Sequence, residues 1–306
     1  MEKHEFDNHI KAGEITSEAQ DKARELLSEG AKIYEAAESI EDFIIKKGGK
    51  PAFPINLSFN ENAAHQTPSY NDKTIVGKDD VIKVDIGVHV DGYICDSAFT
   101  LNHSGKYAEM VSTAEAALEK ALAIAKEGTK LQDIGSAIEE TIKAKGLKVI
   151  QNLSGHGLEQ YVQHAPPSIP NLGSADTRKL EDGKAYALEP FASNGWGNVV
   201  HGTTTEIFEI KELKNTRHQG ARKILEYAME NYNKLPFAER WLYRDLKISE
   251  FEIKVGLKQL LREKILESFP ILHEKPGSIV AQAENTIVIY KGKTYSLLCE
   301  HVKKAD

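Results

Sequence analysis

The chain has 306 residues, 46 acidic against 39 basic side chains and a formal net charge of −7, so it is long enough to bury a substantial core and too acidic for a general binder of nucleic acid or anionic membranes. No apolar run reaches the roughly 18–20 residues of a membrane span, and MEKHEFDNHIKAGE at the start lacks an apolar signal core, which makes a cytoplasmic location the expectation. Its 2 cysteines, Cys95 and Cys299, form no CxxC and support neither a disulfide framework nor a zinc–thiolate site.

Helical periodicity covers residues 16–29, with Ser17 and Gln20 in capping-box spacing at its start and Gly30 at its end. A second helix is expected over 35–47, stopped by Gly48-Gly49. In KPAFPINLS, Pro51 and Pro54 enforce an extended path, and the polar loop NENAAHQTPSYND places His65 just ahead of the next strand. There, strict alternation of β-branched residues over 81–90, the turn dipeptide Asp91-Gly92 and a return run over 93–101 predict a β-hairpin. If Val90 pairs with Tyr93, Asp85 lies opposite Ala98, and Asp85 and Asp96 project from one face as diagonal neighbours about 7–8 Å apart at Cα. That separation suits a shared ion. The other face, with Val84, Ile86, Val88, Val90, Tyr93 and Phe99, is apolar and is expected to be the buried side, while Gly87 and Ala98 leave room beside the carboxylates.

After Asn102 the pattern begins again. Helical periodicity runs over 107–126, and Glu127-Gly128-Thr129-Lys130-Leu131 repeats Glu29-Gly30-Ala31-Lys32-Ile33 at an offset of 98, as Ile138-Glu139 and Lys145-Gly146 repeat Ile40-Glu41 and Lys47-Gly48. One residue further in offset, the His164 loop falls on the His65 loop, and AYALEPF with Glu189 falls on the strand ending at Asp85. Each half therefore supplies two helices, a histidine loop and a strand bearing a carboxylate. Such a repeat implies a pseudo-twofold α+β fold with one composite site between the halves. The second half adds His156 between Gly155 and Gly157, whose freedom from a Cβ lets the backbone approach whatever the imidazole binds. The last apolar strand, 278–290, carries Glu284 in its middle, where an unpaired charge is seldom found. Asp85, Asp96, His156, Glu189 and Glu284 make one imidazole and four carboxylates with no thiolate. That set suits a pair of hard or borderline divalent ions such as Mn, Co, Fe(II) or Zn.

The segments VDIGVHVDGYICDSAFT, NLSGHGLEQYVQHAPPSIPN, ALEPFAS and AQAENTIVI, behind KPAFPINLSFNENAAHQTP, resemble the methionine aminopeptidases of the pita-bread fold, especially their type 2 branch of archaea and eukaryotes, over almost the whole chain. The resemblance implies a curved antiparallel sheet in a catalytic domain formed by 1–214 and 278–306, with 215–277 inserted as a helical subdomain. The insertion reads as helices, including 217–233 and a Ser249/Glu252 capped stretch with Phe251, Ile253, Leu257, Leu260 and Leu261 on its apolar positions.

By the same resemblance Asp85 serves one metal, His156 and Glu189 the other, and Asp96 and Glu284 bridge two ions. Glu189 also shuttles a proton, His164 donates to the developing oxyanion, His65 acts near the scissile amide, and Phe53 and Phe208 form walls of the methionine pocket. Gln163, Ala165-Pro166-Pro167 and Asn285 depart from the family's usual residues without removing a ligand, and the first two bear on pocket shape. The implied substrate is the initiator methionine of nascent polypeptides before a small second residue, met by a cytoplasmic monomer near the ribosome, with no membrane or specific nucleic acid as partner. An X-Pro aminopeptidase or prolidase is the enzymatic alternative, although only about 50 residues precede KPAFP where those enzymes carry a large domain. A metal-free pita-bread binding protein is the other alternative; its relatives have generally lost ligands that are all present here.

Overall fold

The computed structural model describes residues 1–298; Cys299 and the end of the expected 278–306 segment lie outside them. The first half runs α1 (Lys3–Leu26), α2 (Ile33–Lys46), β1 (Lys50–Pro51), β2 (Asn56–Phe59), β3 (Asn62–Ala64), β4 (Val81–Val90) and β5 (Tyr93–Asn102). The second runs α3 (Ala108–Ile124), α4 (Leu131–Lys143), β6 (Lys148–Val149), β7 (Ser154–Glu159), β8 (Val162–Pro170), β9 (Lys184–Leu188), β10 (Phe191–Ser193) and β11 (Val200–Ile210). There follow α5 (Gln219–Tyr232), β12 (Phe237–Ala238), α6 (Glu239–Asp245), α7 (Glu250–Arg262), β13 (Leu266–His273), β14 (Val280–Gln282), β15 (Asn285–Tyr290) and β16 (Lys293–Ser296).

Helix α1 starts thirteen residues before the expected position 16, and Ser17 lies in its interior; the capping box is made by Glu2 and Glu5 instead. The helix buries a stripe of small residues, Ala12, Ala19 and Ala23, beside His9 and Ile15. Small side chains let a mostly polar helix lie close to the sheet, a face that hydrophobicity alone under-reports. Helices α2 and α4 bury equivalent stripes, Ile33, Ile40 and Ile44 in one and Leu131, Ile138 and Ile142 in the other, 98 residues apart. Each such side chain contributes about 1.5–3 kcal/mol by leaving water.

The repeat extends to the backbone. Gly30 and Gly128 both have φ of 83°, and their N–H groups donate to Val76 O at 2.8 Å and Leu180 O at 2.9 Å. Isolated bridges Lys32–Ile75 and Lys130–Lys179 follow in each half. Strand β4 lies between β2 and β5, with β1 also on it, as β9 lies between β7 and β15. The two antiparallel sheets are joined where Glu284 N donates to Ala98 O at 2.8 Å and Ala98 N returns a bond to Glu284 O at 3.3 Å. The result is the expected α+β pita-bread fold, two pseudo-equivalent halves with helices outside and a curled sheet within.

The hairpin has the anticipated register, Val90 against Tyr93 and Asp85 against Ala98, with Asp91 and Gly92 both left-handed at φ of 51° and 85°. Its burial differs from expectation. Lys83, Asp96 and Ala98 are as buried as Val84, Ile86 and Val88, because helices cover the apolar face while the other half of the molecule covers the carboxylate face. The run 278–290 is likewise not one strand: it breaks between β14 and β15, and Glu284 sits in the break, where its backbone turns to bond Ala98.

Helices α5, α6 and α7 pack Ile224, Trp241, Ile253, Leu257 and Leu260 against Phe208 and Phe237. Ser249 and Glu252 form the anticipated capping box on α7, with Glu252 N donating to Ser249 Oγ at 3.2 Å and Ser249 N to Glu252 Oε2 at 3.1 Å. Phe251, expected on the apolar face, is 76% exposed because the first turn of α7 points it outward. Strand β13, inside the 215–277 segment, pairs with β11 and β3. Helix α6 is tied to α2 by Arg240, 1% exposed: Nε donates to Glu38 Oε1 at 3.1 Å, Nη1 to Thr67 Oγ1 at 2.6 Å and Nη2 to Glu41 Oε1. Among the described residues, no helix is long and apolar enough to cross a membrane.

Candidate metal centre and substrate cavity

Asp85 from β4, Asp96 from β5, His156 from β7, Glu189 just after β9 and Glu284 between β14 and β15 all line one cavity of about 570 Å³. Residues spread over two hundred positions meet there because both halves turn the same sheet face inward. One ligand atom each of Asp96, His156 and Glu284 lies within 4.8 Å of the others. His156 Nε2 stands 3.7 Å from Asp96 Oδ2 and 3.7 Å from Glu189 Oε1. Gly155 and Gly157 serve the sheet rather than a ligand: a Cβ on either would collide with a carbonyl of the adjoining strand, Ala187 O or Pro166 O.

The electrostatics of this cluster call for positive charge. Among the described residues, none that lines the cavity is a lysine or arginine. Burial raises the Asp85, Glu189 and Glu284 carboxyls well above their usual range, with the Asp96 charge adding to each, and burial pushes Asp96 up to about 7. His156 is lowered to about 3, by burial first and His164 second, so its imidazole is neutral and free to ligate. Asp85 Oδ1 and Asp96 Oδ1 are buried without a hydrogen-bond partner among the described residues. Two orphaned acidic oxygens among four mutually repelling carboxylates are costly alone and are satisfied by a bound cation. The donor set, oxygen with one imidazole nitrogen, fits a hard or borderline divalent ion.

Around this centre, Gln163 Nε2 donates to Asp96 Oδ2 at 3.2 Å and Gln282 Nε2 to Glu284 Oε2 at 3.2 Å, orienting both carboxylates. Thr286 Oγ1 and the Asp96 backbone exchange bonds of 2.7 and 2.8 Å. The His164 ring opens onto the cavity 4.6 Å from that of His156. His65, with φ of 64°, has its Nδ1 3.3 Å from Pro270 O and its ring edge-on to Phe269 at 5.6 Å. Burial, then the neighbouring His164, lowers His65 to about 4.

Phe53 lines the cavity and lies over Gly87, where a Cβ would collide with its Cε1 and Cδ1. Phe208 does not reach the cavity: it packs 6.1 Å from Phe237 within the helical cluster, and Ile207 lines the wall instead. Adjacent strand residues face opposite sides, and irregularities in the β11–β13 pairing between His201, Thr205 and Ile207 set which one points inward. Phe269, Asn56 and Gln282 also line the cavity and escaped sequence reasoning. Only knowledge of the β13–β11 pairing marks Phe269, whereas Asn56 lies three residues from Phe53 and Gln282 two from Glu284.

Residues 7–211 match the model of metallopeptidase family M24. A methionine aminopeptidase of Thermococcus kodakarensis is 44% identical over 94% of this chain and 97% of its own length. Among solved structures, one described as a thermophilic Arx1 superposes with a TM-score of 0.85 at 16% identity, covering 97% of this chain and 91% of that one. The methionine aminopeptidase of Thermotoga maritima gives a TM-score of 0.70 at 22% identity over 97% of each chain. These likenesses over nearly the full length place the chain in metallopeptidase family M24, among its methionine aminopeptidases.

Proposed function

We propose that the protein removes the N-terminal methionine of newly made polypeptides, preferring a small second residue, by metal-dependent hydrolysis of the first peptide bond. The observation that carries this reading is the meeting of four buried carboxylates and one neutral imidazole, with Asp85 Oδ1 and Asp96 Oδ1 orphaned, in a cavity that also holds Phe53, His65 and His164. Two divalent ions, Mn, Co, Fe(II) or Zn, would be held by Asp85 on one side and by His156 with Glu189 on the other, with Asp96 and Glu284 shared. Such ions, when bound, supply a nucleophilic water at neutral pH and polarise the scissile carbonyl.

The remaining work falls to the chain's own side chains. His164, shifted below the usual imidazole range by desolvation, opens onto the cavity and can donate an N–H to the developing oxyanion. His65, lowered to about 4 and so neutral, is within the same cavity to hold the scissile amide. Glu189 passes a proton to the leaving amine. Phe53, Ile207 and Phe269 offer an apolar wall to the methionine thioether, taking the place expected of Phe208. Residues 215–277 are proposed as the helical subdomain of a type 2 enzyme, and the protein as a cytoplasmic monomer that meets nascent chains near the ribosome.

The test is release of methionine from Met-Ala-Ser by metal-stripped protein, with and without added Mn or Co, beside an X-Pro peptide. Metal-dependent release from the first peptide alone is expected, abolished in Asp96→Asn. Cleavage of the X-Pro peptide instead would make the protein a prolidase, and absence of turnover in metal-loaded protein would leave a binding protein.

A further inference from the structure

We infer that Gln163 is a positioning residue that holds Asp96 and His156 together and so sets the affinity of one of the two divalent ions, the one served by His156; this rests on the two-ion reading above. Its side chain reaches the site through an irregularity in the β7–β8 pairing. Between the pairs Gly157–Ala165 and Glu159–Val162, Gln163 and His164 together oppose the single residue Leu158, which makes a bulge in β8. Adjacent residues of a regular strand face opposite ways, but here Gln163 and His164 both line the cavity. The bulge thus brings a second side chain to the wall without turning His164 away from it.

Gln163 then holds two ligands of the same ion. Its Nε2 donates to Asp96 Oδ2 at 3.2 Å, and its backbone carbonyl is a hydrogen-bond acceptor for the His156 ring. His156 Nδ1 lies 3.1 Å from Gly157 O and donates there, which leaves the Nε2 lone pair facing Asp96 Oδ2, 3.7 Å away. Ligand bonds of about 2.0–2.2 Å let one ion sit between those two atoms. Asp85 Oδ1 and Asp96 Oδ1, by contrast, have no hydrogen-bond partner among the described residues. The support is therefore one-sided, and removing it should weaken one ion and spare the other. An apolar side chain at this position would fill the same space but leave Asp96 Oδ2 without the amide that orients it.

The experiment is a calorimetric titration of metal-free protein with Mn, comparing wild type with Gln163→Met, which keeps the length of the side chain and the backbone carbonyl but has no amide. His156→Ala marks the step that belongs to the His156 ion by abolishing it. In Gln163→Met that step should weaken about 10-fold or more, as for loss of a group that orients a metal ligand, while the other step stays within about twofold. Electron paramagnetic resonance gives an independent readout. The signal of the exchange-coupled Mn pair, which needs both ions, should appear only at about 10-fold higher Mn in the variant, with the circular dichroism of the metal-free protein unchanged. Two unchanged Mn affinities in Gln163→Met, or equal weakening of both, would overturn the assignment. Wild-type protein that binds a single Mn would overturn the two-ion reading and the assignment with it, a result distinct from failure of Gln163 alone.

Discussion

Replacing Arg240 with methionine should destabilise the protein by about 3–5 kcal/mol, the usual loss when one partner of a buried ion pair is removed. The structure explains the size. Arg240 satisfies Glu38, Thr67 and Glu41, and Glu41, only 2% exposed, would keep Trp241 Nε1 at 2.7 Å and Ile55 N at 3.1 Å but no cation from α6. At about 2.1 cal/mol/K per residue over 306 residues, 1 kcal/mol shifts Tm by about 1.6 °C, so the expected fall is about 5–8 °C by calorimetry. Burial already raises the Glu41 carboxyl, with Arg240 the main opposing influence. In the variant it rises further. A carboxyl raised above its unfolded value of 4.5 binds more protons in the folded state, so its contribution is present below that pH and lost as pH rises. The deficit should therefore be largest near pH 8 and smallest near pH 5. Adding Glu41→Gln, which removes the charge but keeps an acceptor for Trp241 and Ile55, should recover part of it. A loss below about 1 kcal/mol at pH 8, or no recovery in the double variant, would refute a buried pair bridging α2 and α6.

Chelation of the metal should lower Tm more at pH 8 than at pH 5.5. Without a cation Asp96 is raised to about 7 and its three carboxyl neighbours are raised too, so their contribution to stability is present at low pH and lost as pH climbs through that window; equal losses at both pH values would contradict it. Gly87→Ala drives a methyl group against Cε1 of Phe53, displaces the ring and should raise KM for methionyl peptides several-fold with metal content unchanged, checked by steady-state kinetics beside metal analysis. Ser249→Ala removes one half of the α7 capping box and should cost about 1 kcal/mol in denaturant unfolding, whereas Phe251→Ser two positions on should change stability by less than about 0.5 kcal/mol because the ring is in solvent.

Where geometry is local, the residues themselves determined it. Period-two alternation and the Asp91-Gly92 turn set the β4–β5 register, and with it the shared face of Asp85 and Asp96. The 98-residue offset foretold the paired helices and their glycine stops, since the same buried stripe and left-handed glycine recur in each half. The true start of α1 was hidden because the buried residues of its first half, His9, Ala12, Gly13 and Ile15, mix polar and small side chains that carry little hydrophobic signal. What depends on residues remote in sequence was settled only by the tertiary structure. The carboxylate face of the hairpin is buried because the other half of the chain covers it, and Glu284 occupies a strand break because its backbone joins Ala98. Ile207 rather than Phe208 faces the cavity because irregular pairing with β13 sets the phase of β11, and Arg240 finds Glu41 across 199 positions because α6 lies against α2. Periodicity is a property of neighbouring residues and can be read along the chain, whereas pairing phase and burial belong to surfaces that exist only once the two halves have closed on each other.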